Sequence, residues 1–486
     1  MNLKFILNIF GRVLMLLGAF MLLPVVCAII YKEPEHWSLI SASFLTLAAG
    51  GLMYVLTMSD LKKELNLRDS YFTVTFVWVI LSLFGTLPYL LTGTITDFTN
   101  ALFETVSGFT STGSSIISDV ESLPHSILFW RSLSQWLGGM GIIVLVVAIM
   151  PLLRIGGYNL FKSEASGVSK EKLTPKIAST AKRLWGVYVT LTAILTVLLS
   201  VGDMNVFEAI NHAFTTMATG GFSTKNDSLA SFSAYSQYVV MIFMFLAGMN
   251  FYLHYHLYKG RLRRVFENIE LRTYFWLVVV VSVIIVVLIS DNNLFANVEL
   301  HLRQAFFQVI SVVTTTGFGT YNYEEWPSEA WILMFMLMFS GACIGSTGGG
   351  VKLIRHVVAY KHIVIFFRKM LHPSSVSVLK LRGEAVDDEK VGSIVSFLLL
   401  YMITFCVGSV LLIFMDVDFL TSIGVVASNL GGIGISIGNI GAINSYADFS
   451  TAAKLLLSLL MIIGRLELST VLILLTSQFW RDRSSN

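Results

Sequence analysis

The sequence predicts an all-α polytopic membrane protein: two N-terminal helices followed by four helix–pore-loop–helix repeats around one central pore, with ten spans and four half-helices. Three observations carry that fold class. Of the 486 residues, 55% are apolar and 13% charged, about half the charged fraction usual for soluble domains. Apolar runs long enough to cross about 30 Å of hydrocarbon recur along the whole chain, and a short glycine motif returns four times at nearly even spacing. This composition leaves too little polar surface for a soluble enzyme, a nucleic-acid binder or a disordered chain. The net charge of +3 is the balance of 33 basic and 30 acidic side chains, so functional electrostatics must lie in where the charges sit. Cys27, Cys343 and Cys406 fall in apolar runs without metal-ligand spacing and suggest neither a disulfide framework nor a zinc site.

The ten apolar runs cover 8–30, 38–58, 71–92, 127–152, 184–202, 235–258, 273–292, 329–366, 391–416 and 452–480. The first is read as a retained helix rather than a signal peptide, because Lys4 and Arg12 straddle its start and a second span follows at once. Basic residues fix the orientation. If the N-terminus is cytoplasmic, 27 of the 33 basic residues lie on that side; Lys32, Arg131, Lys225, Arg303 and Lys454 lie outside, and Arg465 remains within a span. Both termini are therefore expected in the cytoplasm.

After an N-terminal two-helix extension (1–70), the chain divides into repeats at 71–160, 161–270, 271–385 and 386–486. Each repeat has an apolar span, an external linker, a short half-hydrophobic segment, a Thr/Gly-rich tripeptide and a second span. The tripeptides are Ser111-Thr112-Gly113, Ala218-Thr219-Gly220, Thr315-Thr316-Gly317 and Asn429-Leu430-Gly431. Their glycines are 107, 97 and 114 residues apart. The preceding segments, 98–109, 205–217, 300–313 and 419–427, are too short to span a bilayer and read as re-entrant half-helices. Non-helical backbone at membrane depth is tolerated only where it lines a polar cavity, so four such loops point to one shared pore. Carbonyl dipoles can cage a dehydrated monovalent cation without a fixed charge that would trap it, and glycine lets successive carbonyls face one axis. A single Thr-Gly pair is an ordinary inter-helix turn; four at near-equal spacing on one side of the membrane are not.

At these residues the chain resembles the Trk/Ktr/HKT superfamily of potassium transport proteins, and most closely the bacterial TrkH/TrkG potassium-uptake membrane subunits. The resemblance is carried by ETVSGFTSTGSS (104–115), RSLSQWLGGMGIIVLVVAIMP (131–151), NHAFTTMATGGFST (211–224), GMNFYLHYHL (248–257), TTTGFGT (314–320), GSTGGGVKLIR (345–355) and GRLELSTVLILLTSQFW (464–480). It implies potassium as the transported ion with no organic cofactor, a homodimer in the bacterial cytoplasmic membrane, and a cytoplasmic TrkA-like ring of nucleotide-binding regulatory subunits. It places the filter glycines at Gly113, Gly220, Gly317 and Gly431, with Gly432 as the other candidate in the fourth loop. Membrane lipids are expected partners and nucleic acid is not.

The run at 329–366 is longer than a bilayer needs and carries GACIGSTGGG at its middle, which cannot sustain a helix. A phosphate-binding loop would require Lys where Val351 stands. A close helix-packing face of small residues is the structural alternative. The resemblance implies instead that Gly345, Ser346, Thr347, Gly348, Gly349 and Gly350 form a gate below the filter. Arg465 is the basic residue deep in a span; it should face the pore or a partner carboxylate, with Glu467 as the structural alternative. Lys352 and Arg355 are assigned to the cytoplasmic mouth, and His254 and His256 to a capping or solvated helix end rather than proton coupling. Asp97, Glu104, Asp203, Glu208, Asp291, Glu299, Asp416 and Asp418 flank the half-helices, as an electronegative vestibule or as polar helix ends.

The leading functional reading is potassium uptake through a glycine-carbonyl filter, gated by the intramembrane loop under control of cytoplasmic subunits. A potassium–sodium or potassium–proton symporter is the alternative, although no acidic residue lies mid-span to supply a second ion site. An intramembrane enzyme lacks any HExxH, GxSxG or paired-carboxylate signature, and a non-conducting scaffold is separated from a transporter by ion flux.

Overall fold

The computed structural model describes residues 1–58, 67–139, 141, 177–290, 297–374, 378–381, 384–438 and 445–481. The described chain is helical apart from a two-residue antiparallel ladder that pairs Lys380 with Ala385. Near the N-terminus, α1 (Leu3–Phe20) continues into α2 (Leu22–Ile30), and α3 (His36–Leu56) packs back on α1. At their crossing, a Cβ on Gly11 would lie 2.7 Å from the Gly50 carbonyl oxygen. Lipid offers apolar groups no hydrophobic drive to associate, so close backbone approach at small residues is what holds such helices.

Next come α4 (Leu67–Gly85), α5 (Leu87–Thr92), the short α6 (Phe98–Thr110) and α7 (His125–Gly139). The following group is α8 (Ile177–Val201), the short α9 (Val206–Met217), α10 (Ala234–Gly248), α11 (Phe251–Tyr258) and α12 (Leu262–Phe266). The third is α13 (Ile269–Ile289), α14 (Val298–Val313), α15 (Ser328–Leu337) and α16 (Leu353–Leu371), and the fourth is α17 (Asp388–Ile413), α18 (Phe419–Gly431), α19 (Thr451–Arg465), α20 (Ser469–Leu472) and α21 (Ser477–Trp480). One buried core joins the N-terminal helices and the first group to the fourth, through residues such as Phe103, Trp130, Leu430 and Leu457. A second joins the second group to the third, through Met217, Met244, Phe307 and Met334. The first and last groups thus meet, as closure into a ring requires.

Six helices among the described residues are long and apolar enough to cross a membrane: Leu3–Ile30, His36–Leu56, Arg68–Thr92, Ala181–Val201, Ile269–Ile289 and Asp388–Ile413. They coincide with six of the ten expected spans. Two others differ from expectation because they are bent rather than continuous. Ala234–Gly248 and Phe251–Tyr258 meet at 102°, and Thr451–Arg465 and Ser469–Leu475 at 110°. The first bend follows from Met249, which is extended, and Asn250, whose side chain accepts from Tyr252 N and starts a new helix. The second follows from Glu467, whose φ of 55° no right-handed helix accommodates. The long run at 329–366 is interrupted, helix stopping at Leu337 and resuming at Leu353. Of the run at 127–152, the helix is described to Gly139, and 140 and 142–176 lie outside the described residues.

The four short helices α6, α9, α14 and α18 hold 13, 12, 16 and 13 residues. Three carry a side-chain cap at the N-terminus, from Asp97, Asn205 and Asp418. The Asn205 cap is a full capping box with Glu208. The fourth helix runs to Gly431, four residues beyond its expected end at 427, so Asn429, Leu430 and Gly431 are helical.

Candidate functional site

All four short helices end in the same wrap. Ser111 N bonds Gly108 O and Thr112 N bonds Ser107 O; the corresponding pairs are Thr219 to Thr216 and Gly220 to Thr215, Thr315 to Val312 and Thr316 to Ser311, and Gly432 to Asn429 and Ile433 to Ser428. The wrap turns on a left-handed residue, with φ of 53° at Ser111, 52° at Thr219, 58° at Thr315 and 69° at Gly432. For β-branched Thr219 and Thr315 this backbone is strained, at a cost of about 1–3 kcal/mol each, and such strain persists where the surroundings over-determine it. Two residues further on, each loop carries a glycine that is again left-handed: Gly113 at 90°, Gly221 at 75°, Gly317 at 82° and Gly434 at 94°.

These four glycines close a ring. A Cβ on Gly113 would collide with the Gly220 carbonyl oxygen, on Gly221 with that of Thr316, on Gly317 with that of Ile433, and on Gly434 with that of Thr112. Each loop therefore lays its backbone against the next, and the fourth returns to the first. The tripeptides expected at 111–113 and 315–317 match this register. In the second loop the equivalent residues are Thr219, Gly220 and Gly221, so Ala218-Thr219-Gly220 is one residue early. In the fourth they are Gly432, Ile433 and Gly434, three residues beyond Asn429-Leu430-Gly431, because Gly431 keeps helical backbone and Gly432 is the terminator.

Beyond the ring, a cavity of about 100 Å³ is lined by Gly113, Gly221, Gly317 and Gly434 together with Ser115, Arg131, Ser223, Lys225 and Tyr446. The helix C-termini point toward the ring, so their partial negative ends favour a cation there. Six of the eight flanking acids are engaged by the protein itself, at helix N-termini, by serines or in ion pairs. Asp97, Glu208 and Asp418 serve the helix N-termini, Asp203 accepts from Ser233 and Ser236, and Glu299 pairs with Arg303 at 2.8 Å. Glu104 is fully buried and paired with buried Arg131 at 2.9 Å. The Thr421 amide holds the Asp418 carboxyl below the usual carboxylate range. Asp291 lies outside the described residues.

The glycine loop meets the ring from the side opposite the cavity, touching residues that precede the ring glycines. Gly349 N donates to Thr315 Oγ1 at 2.7 Å, and Thr347 Oγ1 donates to the Met217 carbonyl at 3.0 Å. A Cβ on Gly348 would lie 2.8 Å from Thr314 O, and one on Gly349 2.6 Å from Gly431 O. Gly345 and Gly350 are left-handed, at φ of 74° and 67°. Ser346 caps locally onto the Cys343 carbonyl at 2.6 Å. Arg465 donates to Thr347 O at 2.8 Å and to Gly138 O and Gly139 O at 2.6 Å each, and Lys352 Nζ donates to Gly348 O. Glu467 accepts from Arg355 at 2.7 Å. His254 bonds the Leu246 carbonyl at 2.9 Å, at the bend before α11, which is the capping role.

Sequence reasoning missed Gln135, which braces the ring from behind, and assigned Asn429 to the filter itself. Gln135 Nε2 donates to Gly220 O at 2.6 Å while its Oε1 accepts from Phe222 N at 3.1 Å. Asn429 accepts from Ser114 at 2.9 Å and donates to Tyr446 at 3.2 Å, so its side chain is scaffold. The signal available was Arg131 and Gln135, the two large polar side chains of the run at 127–152, one helical turn apart. Polar side chains at that depth require partners.

The family model described as TrkH, cation transport protein, matches residues 36–485. The chain is 36% identical to the Trk system potassium uptake protein TrkH of Halomonas elongata, over 99% of this chain and 100% of that one. It is 35% identical to the protein of the same name from Escherichia coli K12, over the same shares. A crystal structure of the potassium transporter TrkH from Vibrio parahaemolyticus superposes with a TM-score of 0.87 at 33% identity, covering 99% of this chain and 100% of that chain.

Proposed function

The chain belongs to the TrkH family of cation transport proteins, a family of multi-pass membrane transporters and not of enzymes, and we propose that it takes up potassium through the ring of four loops. The single observation that carries this reading is the closed backbone circuit Gly113, Gly221, Gly317 and Gly434 beside a polar cavity. A ring of backbone suits a dehydrated cation because its carbonyls can replace hydration without a fixed charge. The filter triads are 111–113, 219–221, 315–317 and 432–434. Loop 345–350, held by Arg465, is the gate.

The finer assignments follow from the same reading. The repeats at 71–160, 161–270, 271–385 and 386–486 each supply one filter loop, and 1–70 is a peripheral two-helix extension. The protein works as a homodimer in the cytoplasmic membrane with both termini inside, where basic side chains concentrate. As part of a Trk system it associates with other Trk components, and a nucleotide-binding TrkA-like ring sets the gate from the cytoplasm. Purified protein in liposomes, loaded with potassium or sodium and assayed for flux and reversal potential, tests the reading. Potassium-selective flux is expected; no flux with either ion overturns it.

A further inference from the structure

Seven residues before each left-handed residue, the four short helices place Glu104, His212, Gln308 and Val425 at one equivalent position behind the ring. The backbone circuit is near-fourfold, but this backing position is a carboxylate, an imidazole, an amide and an aliphatic side chain. Glu104 accepts from Ser115 Oγ and Ile116 N at 3.0 Å and from Arg131 Nε at 2.9 Å. His212 Nε2 meets Ser223 Oγ at 3.0 Å, and Ser223 stands where Ser115 stands, four residues after the left-handed residue. Gln308 Nε2 donates to Tyr321 O at 2.8 Å. Val425 has no polar atom to brace its loop.

Arg131 does more than neutralise Glu104. Its Nη2 donates to Ser115 Oγ at 3.2 Å and its Nη1 to Ser223 O at 3.3 Å, with the guanidinium 4.2 Å from the Phe222 ring centroid. One fork therefore ties the outer turn of the first loop to that of the second. Both partners are buried, Glu104 at 0% and Arg131 at 2% exposure. A buried ion pair is seldom more stabilising than well-packed apolar residues of the same volume. Its use here is geometric: a planar fork can hold two loops at one spacing, as an ammonium cannot.

We propose that Glu104 and Arg131 are positioning residues for ion selectivity, fixing the separation of the first and second filter loops that face potassium. The proposal rests on the filter reading of the ring. Glu104→Gln keeps size and acceptor but removes the charge that orients Arg131; Arg131→Lys keeps charge but loses the fork. Each lowers the potassium-to-sodium permeability ratio by about threefold or more, while potassium flux persists. Reversal potentials of purified protein in liposomes read this, with Gly113→Ser measured alongside. If Gly113→Ser changes selectivity and both pair variants keep the wild-type ratio, the positioning role is overturned and the filter stands. Wild-type selectivity in Arg131→Lys alone also overturns it, because charge then suffices. No change in any of the three overturns the filter reading itself. Should Glu104→Gln fail to fold, Glu104→Gln with Arg131→Gln leaves no unpaired buried charge and carries the same measurement.

Discussion

Arg465 Nη1 donates to the carbonyl oxygen of Thr347 over 2.8 Å, joining residues 118 apart in sequence. The same guanidinium reaches Gly138 O and Gly139 O at the end of α7, and Lys352 Nζ reaches Gly348 O. Two successive carbonyls of the glycine loop are thus held by protein cations. Carbonyl oxygen is also the natural ligand of potassium, so, on the proposed gate reading, the held loop would offer a passing ion fewer free ligands. On the same reading, a guanidinium so placed favours this arrangement of the loop over an open one.

Arg465→Ala, or deletion of residues 346–349, should therefore raise basal potassium flux in the absence of regulatory subunits. Hydrogen bonds to charged groups contribute about 1.5–3 kcal/mol each, so loss of one changes the open-to-held ratio by about tenfold or more. Flux below wild type in both variants, with normal folding, would assign the loop to structure and move the gate elsewhere.

The register of the ring separates adjacent glycines. Gly221→Ala and Gly434→Ala place a Cβ against backbone carbonyls at positive φ, where an L-residue costs about 1–2 kcal/mol before any clash. Gly431→Ala stays helical and meets atoms no nearer than 3.2 Å. The first two should lower potassium selectivity and the third leave it near wild type; a selectivity loss confined to Gly431→Ala would restore the register expected from sequence.

The even spacing of Gly113, Gly317 and their neighbours was legible because a positive φ with a neighbouring carbonyl in close approach favours glycine. The register in the second and fourth loops was not. Gly220 and Gly221 are adjacent, and nothing local says which takes positive φ; the structure gives the first left-handed position to Thr219, a residue type that seldom occupies it. In NLGGIGISIG, Gly431 continues the helix because the terminating wrap forms one residue later, at Gly432. The glycine break at 341–350 was equally plain, since five glycines oppose helix. The bends at Asn250 and Glu467 were hidden inside apolar runs, where hydropathy averages over one or two polar residues. Glu104 read as vestibule charge because its partner Arg131 is 27 residues away.

The Asp418 cap predicts a local pH dependence. Its carboxylate accepts from Thr421 N at 3.0 Å, which depresses its pKa. The folded pKa lies below the unfolded one, so this stabilisation is present above the unfolded pKa, near 3.9, and fades as pH falls through the lower folded value. Asp418→Ala should speed amide exchange in the first turn of α18 at neutral pH, by the equivalent of about 1 kcal/mol. The difference from wild type should shrink in acid. A difference independent of pH would mean that the cap acts without its charge.

Thr315 couples the ring to the glycine loop through one atom. Its backbone is the left-handed terminator of α14, and its Oγ1 accepts the Gly349 amide at 2.7 Å. Thr315→Val keeps the β-branched shape, and with it the backbone strain, but removes the acceptor. Gly349 N–H then loses its partner, at a cost of about 1–3 kcal/mol where water cannot replace it. That cost falls on the held arrangement of the loop, while the ring contacts of Gly317 and Thr316 are untouched. Basal potassium flux in liposomes should rise about fivefold or more, with the potassium-to-sodium ratio unchanged. Loss of selectivity without a rise in flux would show that the hydroxyl serves the ring alone, and that the loop is held by Arg465 and Lys352 without it.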